Sequence, residues 1–223
     1  MCGSFVQNRK KPKLKKIIEQ ISPEQGSLLE LLTDDIRPTN FATVLLPEGE
    51  FFSPRIMTWG FPKKDGKGVI FNARAETALD KPMFSNALLH RPVVVPVTGF
   101  YEWLAVPGQK LKDKYFFTVQ NSGLCESCEP CELRDPCEFR DPCDLDDELL
   151  YLAGFFSVFA GNENAVPGHF TILTTAANNS MAPYHARMPI ILGETEIIEW
   201  LRGERLNQFL TREPAAVIAE RVC

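Results

Sequence analysis

The second residue of this 223-residue chain is a cysteine that directly follows the initiator methionine. Cys2 is small and precedes Gly3, so removal of Met1 would leave a cysteine that carries both an α-amine and a thiol. An α-amine is less basic than a lysine amine, so more of it is unprotonated at neutral pH. Such a residue can attack one aldehyde twice: the amine forms an imine and the sulfur closes a five-membered thiazolidine. Taken alone, Cys2 is equally compatible with a buried strand residue.

Glu102 is the second residue that could take part in a reaction, and it lies in the run FYEWL. In a strand, alternate side chains share a face, so Glu102 would share its face with Phe100 and Leu104. A carboxyl group in an apolar surface loses solvation, and this favours the neutral form that a general acid needs. The alternative is a strand glutamate that pairs with Arg74 or Arg187.

His185 and Asn72 are the remaining candidates. His185 lies in the run MAPYHARMP, where two prolines stiffen a predicted loop that also presents Arg187. A histidine in such a loop can transfer protons at neutral pH. Asn72 opens a turn close to Arg74; an amide can hold a hydroxyl or carbonyl, and arginine suits phosphate. A single asparagine at a turn is more often part of the turn, and His90 and His169 are interpreted as structural.

The elements that must position these residues are mostly strands. Apolar patterning and turn residues predict strands over residues 2–7, 42–46, 51–59, 92–104 (bent at Pro96 and Gly99), 114–120, 149–159 and 169–175. They predict helices over residues 14–21, 27–32, 82–89 and 195–210, and loops over 61–68 and 182–189. No regular strand–helix–strand alternation is present. We therefore expect a single α+β domain over residues 1–223, with a mostly antiparallel, barrel-like β core and peripheral helices.

One segment accounts for the net charge of −5. Residues 124–148 hold ten acidic and two basic residues, and the other 198 residues hold 22 basic and 19 acidic ones. The body of the protein is thus mildly basic, and a polyanionic ligand is not excluded. The basic run at residues 9–16 enters the first predicted helix, where it is either a solvated face or a phosphate-contacting patch.

The same segment, residues 124–148, contains five of the seven cysteines, spaced C-x2-C-x2-C-x5-C-x5-C. It also contains a tandem repeat, CELRDP followed by CEFRDP. Closely spaced cysteines are typical of zinc or iron–sulfur sites. The surrounding carboxylates disfavour thiolates, however, and a short tandem repeat is typical of a duplicated surface loop. We interpret the segment as a solvated acidic insertion, with metal binding as the alternative, and we expect no metal or other cofactor.

Segments for membrane insertion or secretion are not indicated. The longest apolar stretch, residues 149–160, is too short to span a bilayer, and no charged-then-apolar leader opens the sequence. We expect a cytoplasmic monomer that does not contact membranes.

Four segments together resemble the SRAP family, named for SOS response-associated peptidases. They are MCGSF at the start, NARAET (72–77), PVTGFYEW (96–103) and FTILTTAANNSMAPYHARMPIIL (170–192). Their order and approximate spacing agree with the family along most of the chain, and only residues 124–148 look foreign.

This resemblance implies a sensor of abasic sites in single-stranded DNA. By motif, Cys2 would crosslink to the ring-opened sugar and Asn72 would orient the terminal residue and the sugar oxygens. Glu102 would act as general acid/base, and His185 would assist proton transfers at the imine and in strand scission or reversal. The family is also described as having thiol autopeptidase activity, and a lyase activity is expected with it.

The mildly basic body and the aromatic residues near Glu102 also suit a DNA-binding groove, and DNA binding would make the protein nucleoid-associated. Arg74 and Arg187 would contact the phosphates that flank the lesion, and Lys63 and Lys64 lie in a lysine-rich loop that could add further phosphate contacts. Trp59 would stack on a base. Two other functions stay open: a peptidase or amidase with an N-terminal nucleophile that makes no DNA adduct, and a metal-binding module built on the cysteine-rich segment.

Overall fold

The computed structural model describes residues 3–119, 148–159 and 168–222 of the chain. Its strands are β1 (Ser4–Val6), β2 (Asp35–Ile36), β3 (Phe41–Glu48), β4 (Phe51–Trp59), β5 (Phe61–Pro62), β6 (Val69–Ile70), β7 (Asn72–Arg74), β8 (Pro92–Val97), β9 (Gly99–Leu104), β10 (Asp113–Val119), β11 (Leu150–Ser157), β12 (His169–Ala176), β13 (Arg187–Pro189), β14 (Ile191–Leu192) and β15 (Val217–Val222). Its α-helices are α1 (Pro12–Ile18), α2 (Ala75–Ala78), α3 (Pro82–His90), α4 (Ile197–Leu201) and α5 (Leu206–Thr211), and short 3-10 helices span Pro23–Leu31 and Glu194–Glu196.

Five strands form a ring at the centre of the fold. Strand β12 pairs with β4, β4 with β3, β3 with β8, β8 with β11, and β11 pairs back with β12. Two of these strand pairings are short: β3 pairs with β8 only at Leu45 and Val94, and β12 pairs with β4 at two residue pairs. Strand β12 runs parallel to β4 and β7, whereas the other pairings of this ring are antiparallel. The predicted α+β class with a mostly antiparallel, barrel-like core is confirmed.

A second sheet has the strand order β15-β10-β9-β1-β2 and packs against the ring. Side chains of both sheets share one hydrophobic cluster, to which Phe5 and Phe100 contribute from the second sheet and Val93 and Val95 from the ring. A second cluster lies beneath the helices. Because alternate side chains of a strand point to opposite faces, Val94 joins that second cluster while its neighbours join the first. Strand β8, with the sequence PVVVPV, is therefore buried on both faces.

Most predicted elements are present, although strands β2, β7 and β14 and helix α2 were not predicted and three further elements differ. Residues 182–189 were expected to form a loop, but their last three residues form β13 against the end of β12. Residues 61–68 were also expected to form a loop, and their ends pair as the short hairpin β5–β6. Strand β15 was not predicted. Residues 124–147 of the predicted acidic insertion lie outside the described residues.

None of the helices in the described ranges has the length and apolar character needed to cross a membrane.

Candidate active site

Glu102 occupies the middle of β9 and is 4% exposed. It is the only buried carboxylate among the residues that the structure describes. Two residues away, Phe100 is fully buried and stacks on Phe117, with ring centroids 5.2 Å apart. This agrees with the predicted apolar face. A carboxyl group held away from water in this way is suited to exchange a proton with a bound substrate.

Strand β1 brings the start of the chain to the same sheet. It pairs antiparallel with β9, with Ser4 opposite Tyr101 and Phe5 opposite Phe100. Gly3, which precedes Ser4, therefore lies toward the carboxyl-terminal half of β9, the half that contains Glu102. One further step of this register would set Gly3 opposite Glu102. Cys2, the predicted nucleophile, lies outside the described residues.

The side chain of Gln7 fixes β1 relative to the ring. Its amide nitrogen donates to the carbonyl oxygens of Thr43, at 2.7 Å, and Pro96, at 2.8 Å. Its amide oxygen accepts from the backbone N–H of Thr43 at 2.9 Å. Gln7 is buried, so these bonds are shielded from competing water. The register of β1 is thus set by contacts with both β3 and β8.

Trp59 supports Asn72 from inside the protein. Its indole nitrogen donates to the carbonyl oxygen of Phe71 at 2.8 Å, and its ring lies 4.7 Å from the ring of Phe5. Trp59 is fully buried, so the prediction that it stacks on a DNA base is wrong for this structure: neither face of the ring is exposed. Instead, Trp59 connects β1 to the residue that precedes Asn72. Asn72 itself is partly exposed at the start of β7, opposite Ile172 of β12.

His185 lies in a loop, residues 177–186, that is closed by its own hydrogen bonds. The side-chain oxygen of Asn178 accepts from the backbone N–H groups of Ser180 and Met181. The side-chain nitrogen of Asn178 donates to the carbonyl oxygens of Pro214 and Ala215, at 3.1 and 3.0 Å. The loop is thereby attached to the segment that leads into β15.

Tyr184 attaches the same loop to the second sheet. Its ring lies 4.7 Å from the ring of Tyr115 and 5.1 Å from the ring of Phe117, both on β10. Tyr115 is the partner of Glu102 in the pairing of β10 with β9. The residue before His185 therefore contacts the strand that borders Glu102.

The ring nitrogen Nδ1 of His185 faces the backbone of Arg187. The N–H of Arg187 donates to Nδ1 at 2.9 Å, and the carbonyl oxygen of Arg187 lies 3.1 Å from the same nitrogen. A nitrogen that accepts a hydrogen bond carries no proton, so in the neutral ring the proton resides on Nε2. In the other neutral tautomer, Nδ1 would carry the proton and donate to the carbonyl oxygen instead. The backbone of Arg187 thus offers a partner to either tautomer.

The side chain of Arg187 is not free for phosphate. Its two terminal nitrogens meet both carboxylate oxygens of Glu76, at 2.6 and 2.9 Å, and one of them also donates to the carbonyl oxygen of Thr174. The hydrogen bond from Arg187 is the main cause that lowers the pKa of Glu76. The predicted phosphate contact does not match this geometry, because DNA would have to displace Glu76.

The other predicted DNA contacts are exposed lysines and one arginine. Lys63 and Lys64 lie in the turn of the β5–β6 hairpin, and Arg74 ends β7 next to α2. The hairpin packs closely against Gly60, where a side chain would not fit: a Cβ atom at this position would lie 2.6 Å from the side chain of Val69. These three cations remain candidates for contact with phosphate.

The contacts connect three elements to one another: β9 with Glu102 pairs with β1, Trp59 links β1 to the residue before Asn72, and Tyr184 links the loop with His185 to β10 beside β9. Glu76, Tyr115, Tyr184 and Gln7 were not predicted to support the site. Glu76 and Tyr184 carried a signal in the sequence, since they belong to the NARAET motif and to the 170–192 segment, respectively. In the part of the chain that the structure describes, no three His, Cys, Asp or Glu side chains form a group that could hold a metal.

The sequence model of one family, described as SOS response associated peptidase (SRAP), matches residues 1–220. The chain belongs to the SRAP family. Curated SRAP relatives include "Abasic site processing protein YoaM" of Bacillus subtilis, which is 28% identical over 152 residues, 68% of this chain and 55% of the relative. "Abasic site processing protein HMCES" of Gallus gallus is 31% identical over 156 residues, 65% of this chain and 44% of the relative. The aligned part of the chain thus spans about half the length of these relatives.

Solved structures with a similar fold cover the whole chain. A crystal structure of a protein from Bordetella bronchiseptica matches with a TM-score of 0.70, at 20% identity and over 100% of both chains. A protein from Bacteroides thetaiotaomicron also matches with a TM-score of 0.70, at 18% identity, over 100% of this chain and 92% of the other.

Proposed function

We propose that this protein processes abasic sites in DNA by capturing the sugar aldehyde on Cys2 after Met1 has been removed. The observation that supports the proposal is the register of β1 against β9, which sets Ser4 opposite Tyr101, the neighbour of the buried Glu102. Membership of the SRAP family supports it, as do the relatives named for abasic site processing. The chemistry follows from an amine and a thiol on one residue.

The capture reaction joins the two groups of Cys2 to one carbon. The ring-opened abasic sugar presents an aldehyde at C1′, and the α-amine adds to it to give a carbinolamine. Loss of the hydroxyl group as water gives the imine. The thiol sulfur then bonds to the imine carbon, and its proton passes to the nitrogen, which leaves a thiazolidine. The net change is the loss of one water molecule.

Glu102 would donate its proton at the dehydration step. A hydroxyl group is a poor leaving group unless it is protonated, so a buried carboxylic acid accelerates dehydration of the carbinolamine. Asn72 would hold the sugar oxygens through its amide. His185, with the proton on Nε2, would exchange protons at the imine, and would assist strand scission or reversal of the adduct by the same route.

Single-stranded DNA is the proposed substrate, because an aldehyde in a single strand can approach a chain terminus without unpairing a duplex. Arg74, Lys63 and Lys64 are exposed and would contact the phosphates beside the lesion. The contribution of these contacts to affinity would fall as salt concentration rises. We propose a monomer without a cofactor as the active form.

A peptidase function is the second candidate, and the name of the matching family supports it. In that reaction the thiol of Cys2 attacks the carbonyl carbon of the preceding residue, and Glu102 or His185 transfers the proton to the departing amine, which leaves a thioester on the sulfur. Water then hydrolyses the thioester, which releases the preceding residue as a carboxylic acid and restores the thiol. In this sequence the preceding residue is Met1. The peptidase reaction would then serve to expose the α-amine.

Intact-protein mass spectrometry tests the proposal. The purified protein is measured before and after incubation with a single-stranded oligonucleotide that carries one abasic site, beside the Cys2→Ala variant and an undamaged oligonucleotide. We expect a protein without Met1 that gains the mass of the oligonucleotide less one water. A processed protein that forms no adduct overturns the proposal, and cleavage of added peptides without an adduct favours the peptidase.

A further inference from the structure

We infer that Glu76 is a positioning residue that holds the catalytic tautomer of His185 through Arg187. Glu76 and His185 are not in contact; Arg187 lies between them and binds one with its side chain and the other with its backbone. The inference rests on the proposed function, because that function assigns proton transfer to His185. Its structural part, the state of the imidazole, can be tested without DNA.

The side chain of Arg187 is held by two partners. Glu76 takes both terminal nitrogens in a paired arrangement, and the carbonyl oxygen of Thr174 accepts from one of them. Paired N–H···O bonds between arginine and a carboxylate fix direction as well as distance. Thr174 is itself buried and lies in β12, so its carbonyl oxygen is a rigid anchor. The guanidinium group therefore has one orientation.

The backbone of Arg187 passes this constraint to His185. The N–H of Arg187 must stay aimed at Nδ1, 2.9 Å away, for the proton to remain on Nε2. The carbonyl oxygen of Arg187 lies almost as close, at 3.1 Å, and would favour the opposite tautomer if the backbone rotated. Since the two partners compete at nearly equal distance, a small shift of Arg187 is sufficient to change the tautomer.

The main-chain pairing alone gives Arg187 little support. Strand β13 has three residues, and Arg187 is the first of them, opposite Ala176 at the end of β12. A terminal residue of a short strand is easily displaced, because few ladder hydrogen bonds hold it. The bond to Glu76 adds the missing restraint from α2.

The chain contains a matched ion pair away from the site. Arg212 meets Glu196 at 2.6 Å and donates to the carbonyl oxygen of Ile191, as Arg187 does to Glu76 and Thr174. Burial acts to raise the pKa of Glu196, but hydrogen bonds from Arg212 and from the backbone of Gly193 outweigh it, so the pKa is lowered here as well. The backbone of Arg212 has no histidine partner. Glu196→Gln therefore removes a comparable pair without reaching His185.

Nitrogen-15 NMR of the histidine rings tests the inference. Long-range proton–nitrogen spectra at neutral pH are recorded for the wild type, Glu76→Gln, Glu76→Asp and Glu196→Gln, and His185→Asn identifies the signal. We expect the Nε2–H pattern in the wild type and a mixture of tautomers in Glu76→Gln. Glu76→Asp should restore part of the wild-type pattern, and Glu196→Gln should not change it. A wild-type pattern in Glu76→Gln overturns the inference, as does a mixture of equal size in Glu196→Gln.

The capture rate supplies the functional half of the test. With saturating abasic DNA, we expect Glu76→Gln to slow capture about tenfold, a fraction of the effect of losing a proton-transfer group outright. If Glu76→Gln fails to fold, Arg187→Lys replaces it, because lysine keeps the charge and loses the paired geometry. Absence of any adduct in the wild type counts against the proposed function, whereas an unaltered tautomer counts against Glu76 alone.

Discussion

The rings of Tyr184 and Tyr115 pack with their centroids 4.7 Å apart and their planes tilted by 59°. Tyr184 precedes His185 in the chain, and Tyr115 is paired with Glu102 across β9 and β10. One aromatic contact therefore couples the loop that carries the histidine to the sheet that carries the buried acid. It gives a physical reason why residues 83 positions apart could act on one substrate.

The first prediction concerns this contact. Tyr184→Ala removes the ring that touches Tyr115 and Phe117, so the loop should lose its attachment to β10. We expect a loss of roughly 1–2 kcal/mol in the free energy of unfolding, together with slower capture of abasic DNA. Urea unfolding and gel-based capture rates provide the measurements. Tyr184→Phe retains the ring and should behave as the wild type; equal losses in both variants would mean that the hydroxyl group, not the ring contact, matters.

The second prediction concerns Glu102. Glu102→Gln keeps the shape of the side chain but cannot supply or accept the proton, so adduct formation should slow by about two orders of magnitude. Single-turnover capture with abasic DNA measures this rate. Glu220→Gln is the control, since Glu220 is exposed on β15 of the same sheet. A rate unchanged in Glu102→Gln would remove Glu102 from the mechanism.

The third prediction separates packing from DNA stacking at Trp59. Trp59→Phe deletes the hydrogen bond to the carbonyl oxygen of Phe71, so we expect a stability loss of about 1–3 kcal/mol and slower capture through displacement of Asn72. Affinity for undamaged single-stranded DNA should not change. Trp200 offers a matched control, because its indole nitrogen donates to the carbonyl oxygen of Val93 at 2.9 Å beneath the helices.

Trp200→Phe should therefore cost similar stability and leave the capture rate of the folded protein unaltered. Weaker binding of Trp59→Phe to undamaged DNA would contradict the packing role and restore base stacking. Both variants need to be compared at a temperature at which they are fully folded, as judged by circular dichroism.

The fourth prediction concerns affinity for DNA. Replacing Lys63 and Lys64 by glutamine should weaken binding to undamaged single-stranded DNA. The slope of log affinity against log salt should become shallower by about 0.7 for each phosphate that the variant no longer neutralises. Fluorescence anisotropy at several salt concentrations measures both. Replacement of Lys15 and Lys16, which are exposed on α1, tests the alternative patch. Equal effects of the two double variants would indicate that net charge, not the hairpin, determines affinity.

The fifth prediction is a pH dependence. Arg187 lowers the pKa of Glu76 below its ordinary value of 4.5, so the pair stabilises the folded state fully above that value. The stabilisation is lost as the pH falls through the lowered pKa, where the carboxylate gains a proton. The difference in Tm between the wild type and Glu76→Gln should be constant at neutral pH and shrink under acidic conditions. A difference that grows on acidification would contradict the assignment.

The class of fold could be predicted because its determinants are local. Strand-forming runs bounded by proline and glycine, without regular helical crossovers, favour antiparallel pairing. The burial of Glu102 followed from the same kind of signal, since the two-residue period of a strand placed it beside Phe100. Neither inference required knowledge of which strands are neighbours.

The errors arose where a distant partner decides the role of a residue. From sequence, Trp59 was predicted to stack on a DNA base, but in the folded protein its ring packs against Phe5 and Phe170. Arg187 reads as a phosphate ligand until Glu76, 111 positions away in the chain, occupies its guanidinium group. Strand β15 is weakly apolar and forms because β10 offers it an open edge. Such pairings depend on the whole topology, which no window of sequence contains.

The hydrogen bonds of Gln7 to Thr43 and Pro96 fix one end of the segment that leads back to the amino terminus. The number of residues ahead of Gln7 therefore limits how far the terminus can reach. From that anchor, each residue toward the amino terminus extends the reach by at most about 3.6 Å. Inserting one glycine ahead of Ser4 would lengthen the tether by one such increment and invert which side of the pleat each preceding side chain occupies. Chain length at this end is therefore a design variable, open to adjustment by single-residue insertions and deletions.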